Sequence, residues 1–363
     1  MREIVEKPMA PPARQDDAPT GAPPRVVPVR LPDATAGQRR WLVVEAPPRL
    51  LVPRRLQQAG LAGYEPEAMA CFLAALDSVG DGAVWDIGAN VGVYGLVARA
   101  LTGRAVRGFE AVPDLASLAS TIAAANGLAY PVDDLALGAE PGVATLYLSD
   151  RSDTSNSLAE GFRPSSTSLS VPVETVDAIA AKTGECPIVI KVDTETTEPE
   201  VLRGAAKTVA EHRPWILCEV LARPYCGPAL MDAIASWGYH WYHLAGEFPL
   251  APAAEIRGDN DAMMWLLAPE PLPEAFWDAA QRWRDRLAVC VPVEPATEVA
   301  DLQREVRKAR NSTKKAERRL AALNDSATME AGRIVRDVAR RPVRGGLEAP
   351  GRALRLWRSR RDR

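Results

Sequence analysis

The sequence predicts an α/β fold with a doubly wound, mostly parallel sheet, on three observations. From Tyr64 to about residue 270, short apolar runs alternate with helical stretches of roughly 10–15 residues, the pattern of strands joined by crossover helices. AVWDIGA and PIVIKVD are apolar nearly throughout, as strands covered by helices on both faces must be. A glycine loop, Asp86-Ile87-Gly88-Ala89-Asn90-Val91-Gly92, falls where the first of these strands gives way to a helix.

The elements follow in order. Glu65-Pro66-Glu67 opens a helix through Leu76, and Gly80-Asp81-Gly82 breaks it. AVWDIGA is then a strand, VGVYGLVARAL a helix, AVRGFEA a strand, and DLASLASTIAAANG a helix closed by Asn126-Gly127. A third strand is expected near 130–137, then VATLYLSD, a Ser/Thr-rich loop over 151–170, VPVETVDAIAA and PIVIKVD. A helix over 199–211, the strand WILCEVL and a helix near 228–237 complete the alternation. YHWYHL and DAMMWLLAP read as two late strands, paired antiparallel.

Composition bounds what this fold serves. The chain has 363 residues, enough for one to three domains at about 150 residues each, and is 47% apolar and 25% charged, a globular balance. No run approaches the ~18 consecutive apolar residues of a membrane span, and the N-terminus lacks the apolar stretch of a secretory signal. Five scattered cysteines without a Cys-x-x-Cys pair point to a reducing cytoplasm, and three histidines are too few for a His-rich zinc site. The net charge of −3 conceals an asymmetry: residues 301–363 carry 19 basic and 8 acidic residues, leaving −14 on the first 300.

Four regions are expected. Residues 1–40 form a Pro-rich flexible leader, 41–272 the α/β domain, 273–330 a helical segment and 331–363 a basic tail. Val299, Leu302, Val306, Ala309, Thr313, Ala316, Leu320 and Leu323 recur at alternating spacings of three and four, a short coiled-coil seam. Self-association through 299–323 and packing of one amphipathic helix on its own domain both remain open. The Arg-rich tail could touch an anionic membrane peripherally or be a solvated segment, and nucleic acid is not a favoured partner.

The glycine loop carries the first functional signal. Gly88 permits a tight turn, Ala89 and Asn90 follow on the loop, and Gly92 permits close packing at the helix start, where free amides would face an anion. Asn90 stands where a dinucleotide loop prefers glycine, so a pyrophosphate is disfavoured. Asp86 would attract an ammonium, so a ligand with a zwitterionic methionine end, S-adenosylmethionine, suits the loop. Glu110 closes the second strand 22 residues after Gly88, where a carboxylate can accept both protons of a ribose diol.

The second signal is Asp193-Thr194-Glu195-Thr196-Thr197-Glu198-Pro199-Glu200, at the carboxyl end of PIVIKV, the edge where open α/β sheets bind ligands. Pro199 suits a first helical turn, which accounts for Glu200 and Glu198 near a positive helix end, while Asp193 and Glu195 lie on the loop itself. The cluster offers oxygen donors for Mg²⁺, but no ligand spacing is recognisable and no metal ligand is assigned. Ser155, Asn156 and Ser157, on the polar loop, are equally well read as site residues or loop solvation.

DIGANVG, FEAVPD, the Asn126-Gly127 turn, IKVDTETTEPEVLRGA and RPWILCEV together resemble the FkbM family of S-adenosylmethionine-dependent methyltransferases, over roughly residues 64–221. Many family members have glycine at or beside the Thr196-Thr197 position, so this loop departs from the pattern. The resemblance implies a Rossmann-like class I methyltransferase fold and transfer of a methyl group to a hydroxyl of a sugar, glycan or polyketide-type natural product. It implies Asp86, Gly88, Asn90 and Glu110 as cofactor residues, and Asp193, Glu195 and Glu219 as the acidic edge beside the transferring methyl. Aligning an alcohol with an activated methyl can supply about 7–11 kcal/mol, and a carboxylate accepting its proton about 10²–10⁴-fold in rate. Asp193 or Glu195 is expected in that role. His212 reads as structural, His240 and His243 as residues of a packed strand that could also face the substrate, and Trp237, Tyr239, Trp241 and Tyr242 as core residues that could also stack on a sugar. Two other readings are an NAD-dependent oxidoreductase, disfavoured by Asn90, and a non-catalytic scaffold acting through the C-terminal helix and basic tail.

Overall fold

The computed structural model describes residues 23–32 and 40–292; the expected leader before residue 23, the seam over 299–323 and the tail over 331–363 lie outside them. β1 (Arg25–Arg30) and β2 (Trp41–Ala46) pair antiparallel, with Val27, Val29, Leu42 and Val44 buried. This corrects the expected leader over 1–40. Val27 and Val29 alternate with Val26, Pro28 and Arg30, so one strand face is apolar, and a strand paired on one side tolerates the missing N–H of Pro28. Asn126 docks the pair onto the domain: its Oδ1 accepts from the Val43 N–H at 2.9 Å and its Nδ2 donates to the Val43 carbonyl at 2.8 Å.

Next come α1 (Leu51–Ala59), α2 (Pro66–Ser78), β3 (Ala83–Ile87), α3 (Val93–Thr102), β4 (Val106–Phe109) and α4 (Pro113–Ala125). Short strands β5 (Val132–Asp133) and β6 (Ala136–Leu137) lead to β7 (Gly142–Leu148) and β8 (Thr167–Glu174). The chain continues with α5 (Val176–Thr183), β9 (Pro187–Val192), α6 (Glu198–Arg203), α7 (Ala206–His212), β10 (Trp215–Glu219) and α8 (Cys226–Ile234). It closes with β11 (His240–His243), β12 (Met264–Ala268) and α9 (Glu274–Ala288). The helix expected over 199–211 is two helices, because the Gly204 carbonyl turns away to accept from the Asp177 N–H at 2.9 Å.

Seven strands form one sheet in the order β11-β12-β10-β9-β3-β4-β5. β10, β9, β3, β4 and β5 run parallel, and β12 and β11 are antiparallel, as the two late strands were expected to be. The chain leaves β3 for β4 on one side and returns to β9 on the other, so β3 is the switch point where a ligand crevice opens at the strand ends. A smaller sheet, β6-β8-β7, stands apart.

Strand alternation divides the core. Trp85 and Ile87 face the layer built by α5, α6, α7 and α8, whereas Val84 faces that of α2, α3, α4 and α9. The domain does not end at residue 272. α9 carries Phe276, Ala280, Trp283 and Leu287 on one helical face, all buried in the same core as α2. Trp283 Nε1 donates to Asp77 at 2.6 Å and Arg284 pairs with Glu67 at 2.8 Å, fastening α9 along α2. Among the described residues no helix is long and apolar enough to cross a membrane.

Candidate active site

A cavity of about 380 Å³ opens at the carboxyl ends of β3, β4, β9 and β10, within the roughly 300–1,000 Å³ range of small-molecule sites. Gly88, Ala89, Asn90 and Glu110 line one side, and Asp193, Glu195 and Glu219 the other. Two elements separated by more than 80 residues in sequence thus line one cavity, because β3 and β9 are neighbours in the sheet.

The loop after β3 is held by its own contacts. Gly88 has φ 71°, and a Cβ there would lie 1.7 Å from the Asp193 carbonyl oxygen, so glycine is required by both conformation and space. The Gly88 and Ala89 N–H groups donate to the Phe109 carbonyl at 2.9 and 3.0 Å. Asn90, at φ 51°, donates its N–H to Glu110 Oε2 at 2.8 Å and accepts the Val91 N–H on its own side chain at 2.9 Å. The Gly92 N–H goes to the Ala89 carbonyl at 2.7 Å. All five amides from Gly88 to Gly92 are therefore engaged within the protein, so the turn itself offers no cradle for a pyrophosphate, and the helix-start amides that an anion could meet are those of Val93 and Tyr94.

Asp86 and Gly92 require a second correction, since neither lines the cavity. Alternation along β3 turns Asp86 to the same side as Val84, beneath α3. There it is 1% exposed, and its Oδ2 accepts from the Gly95 N–H at 3.0 Å and the Tyr130 hydroxyl at 2.9 Å. Gly92 packs against the Tyr130 ring. Both support the loop from below. Glu110 stands where expected; its second oxygen accepts from the Val112 N–H at 2.9 Å, and burial raises its pKa against these bonds.

Lys191 went unrecognised in the sequence, although a lone lysine in the apolar run PIVIKV was the available signal. β3–β9 register sets it opposite Asp86, at 3.8 Å, and its Nζ reaches Asp193 at 3.0 Å and the Gly88 carbonyl at 3.0 Å. Burial opposes the ammonium, but Asp193 and Asp86 outweigh it and hold its pKa above the ordinary value. Glu65 and Tyr94 were also missed as site residues. Tyr94 donates to Glu65 at 2.8 Å on the cavity wall, and burial raises the Glu65 pKa, with Asp193 adding to it.

The loop after β9 is unusual in its backbone. Glu195 and Thr196 have φ 56° and 95°, sparsely populated for any residue but glycine and most of all for a β-branched one. The surroundings impose it: Ser157 Oγ donates to the Glu195 carbonyl at 2.6 Å, and Glu198 Oε1 accepts from the Thr194 N–H, the Thr194 hydroxyl and the Thr196 N–H. Ser157 is thus a buried loop support, while Ser155 and Asn156 line the cavity.

The acidic side is strongly perturbed. Burial, then Asp193 and Glu198, pushes Glu195 up to about 8. Burial pushes Glu198 up to about 7 and raises Glu219 well above its ordinary value. A carboxyl whose folded pKa is raised holds a proton that the unfolded chain releases near pH 4.5, so its stabilising contribution is full below that pH and lost as pH rises through the folded value. The melting temperature should therefore fall by roughly 5 °C or more between pH 5 and 8.5. Differential scanning fluorimetry checks this, and a melting temperature that rises steadily across the window would contradict it.

The histidines and late aromatic residues lie elsewhere. His243 stacks on Trp265 at 4.7 Å and contacts the Ala262 carbonyl, and His212 is near Glu211. Trp237, Tyr239, Trp241 and Tyr242 pack in or against the core; like His212, His240 and His243, they do not line this cavity.

Residues 86–240 match the family model described as the methyltransferase FkbM domain. That match runs from β3 to the start of β11, somewhat under half of the chain. No curated protein matches it. Among solved structures, the chain is similar to the methyltransferase FkbM of Methylobacillus flagellatus KT, at 14% identity over 52% of this chain and TM-score 0.36. It spans 43% of that protein's length. It is also similar to the SAM-dependent methyltransferase of Agrobacterium tumefaciens, at 10% identity over 69% of this chain and 72% of that one, TM-score 0.37. A human methyltransferase 10 domain-containing protein matches at 14% identity over 56% of this chain and 80% of that one, TM-score 0.32.

Proposed function

We propose that the FkbM domain is an S-adenosylmethionine-dependent O-methyltransferase acting on a hydroxyl of a sugar, glycan or natural product. The observation that carries this is the cavity itself, with the Gly88–Asn90 turn and Glu110 on one side and Asp193, Glu195 and Glu219 on the other. The residues suit the cofactor: Glu110 has spare acceptor positions for a ribose diol, the turn offers a wall without free amides for phosphate, and the carboxylates favour a cation. When bound, S-adenosylmethionine supplies an activated methyl on a sulfonium.

The protein's own task is to place an acceptor hydroxyl and take its proton. Of the two residues expected in that role, Glu195 is favoured. Asp193 is committed to the Lys191 ammonium at 3.0 Å and serves to orient that side of the site. Glu195 makes no ion pair among the described residues, lines the cavity, and with a pKa raised to about 8 is a stronger base than an ordinary carboxylate.

Isothermal titration with S-adenosylmethionine tests the cofactor. Glu110→Ala should weaken binding by about 10–100-fold, the loss of one or two charge-assisted hydrogen bonds. No binding to the unaltered protein would sink the whole reading. Transfer of a tritiated methyl into cell-envelope glycan or secondary-metabolite fractions tests the acceptor class, and labelling in neither would remove it.

A further inference from the structure

We infer that Asp193, Glu195 and Glu219 form a binding site for a hard divalent cation of the Mg²⁺/Mn²⁺ kind. Each offers one carboxylate oxygen, and the three oxygens lie within 4.8 Å of one another. An ion bound at 2.0–2.1 Å sets neighbouring ligand oxygens about 3 Å apart and opposite ones about 4.2 Å apart, so small side-chain rotations suffice. The all-oxygen donor set selects hard cations over zinc or copper.

Glu219 supplies the independent indication. It closes β10, is 5% exposed, and its Oε2 is buried with no hydrogen-bond partner among the protein's groups. A buried carboxylate oxygen costs several kcal/mol to leave unmatched, and such groups are satisfied by a partner or a metal. Lys191 does not fill this role, because its ammonium is spent on Asp193, the Gly88 carbonyl and Asp86. Among the described residues no ion pair reaches Glu195 or Glu219.

No ligand spacing marks this set in the sequence, where the three residues were grouped only by the family resemblance. Asp193 and Glu195 follow β9, and Glu219 ends β10; parallel pairing of β9 with β10, Cys218 opposite Val192, is what brings them together. The left-handed backbone at Glu195 belongs to the same turn. Three carboxylates leave an octahedral ion with open positions for water or for oxygens of an acceptor diol. That role in methyl transfer rests on the function proposed above and, with a cation bound, takes Glu195 as a ligand and not as the free base; the binding of the cation does not rest on that function.

The test uses the full-length protein and Mn²⁺ alone, followed by electron paramagnetic resonance, with S-adenosylmethionine binding measured separately by calorimetry without added metal. One Mn²⁺ per chain is expected, displaced by excess Mg²⁺, with Glu195→Gln and Glu219→Gln each weakening it by at least about tenfold. Glu195 is only partly buried, so its amide variant serves if the Glu219 variant misfolds. Binding weaker than about 1 mM, the range of the weakest protein Ca²⁺ sites, overturns the inference. So does Mn²⁺ binding that both amide variants leave unchanged. Cofactor binding without Mn²⁺ binding sinks the cation site alone, and Mn²⁺ binding without cofactor binding sinks the methyltransferase reading alone.

Discussion

Glu195→Gln should reduce methyl transfer at pH 8 by about 10²–10⁴-fold while leaving S-adenosylmethionine affinity within a few-fold. The amide keeps the size of the side chain but cannot accept a proton. Assayed without divalent cation, the ordinary protein should show a rate that climbs with pH and levels off above about 8, because Glu195 must shed its own proton first and burial with Asp193 and Glu198 holds that step up. In the amide variant this limb should vanish from the residual activity. Asp193→Asn should behave differently, since it strips the partner from a buried lysine and so costs stability as well as rate. Turnover in the Glu195 variant equal to that of the unaltered enzyme would remove Glu195 from the chemistry. A pH–rate profile for both variants, alongside their melting curves, separates the two roles.

Gly88→Ala should abolish cofactor binding and lower the melting temperature by more than about 10 °C, if the variant folds at all. Two effects combine there. A left-handed φ costs an alanine about 1–2 kcal/mol, and Gly103, with φ 69° and nothing within 4 Å of its missing Cβ, isolates that share. At Gly88 the added carbon would meet the Asp193 carbonyl oxygen at 1.7 Å, and that residue is pinned by its N–H to the Ile87 carbonyl at 3.1 Å. The neighbour is backbone and cannot rotate away, so β3 and β9 must part. Thermal melts of the Gly88 and Gly103 alanine variants decide the matter. Equal shifts would mean that conformation alone, and not the approach of the two strands, makes Gly88 necessary.

Much of the fold could be read directly from residue patterns. The alternation of β3, α3, β4, α4, β9 and β10 follows from apolar period and turn residues, and the late antiparallel pair was legible in YHWYHL and DAMMWLLAP. β1 was obscured by prolines, whose usual message is loop; pairing on a single edge cancelled that message. α9 was assigned outside the domain because amphipathic spacing tells that a helix buries a face but not against what. Here α2 is the partner, some 200 residues upstream.

In the site the same division holds. Gly88, Asn90, Glu110, Asp193 and Glu195 could be picked out because strand ends beside glycine or acidic runs are where open sheets bind ligands. What the sequence alone determined is the chemistry available: a glycine turn, an acid after the second strand, and carboxylates after the fourth parallel-type run. Tertiary structure decided which of these groups meet. Pleating sent Asp86 under α3 and away from the cavity, sheet register set Lys191 against it, and adjacency of β9 and β10 joined Glu219 to Asp193 and Glu195. Those outcomes depend on which strands become neighbours, a long-range choice made by the packing of both helical layers, and local sequence carries no record of it.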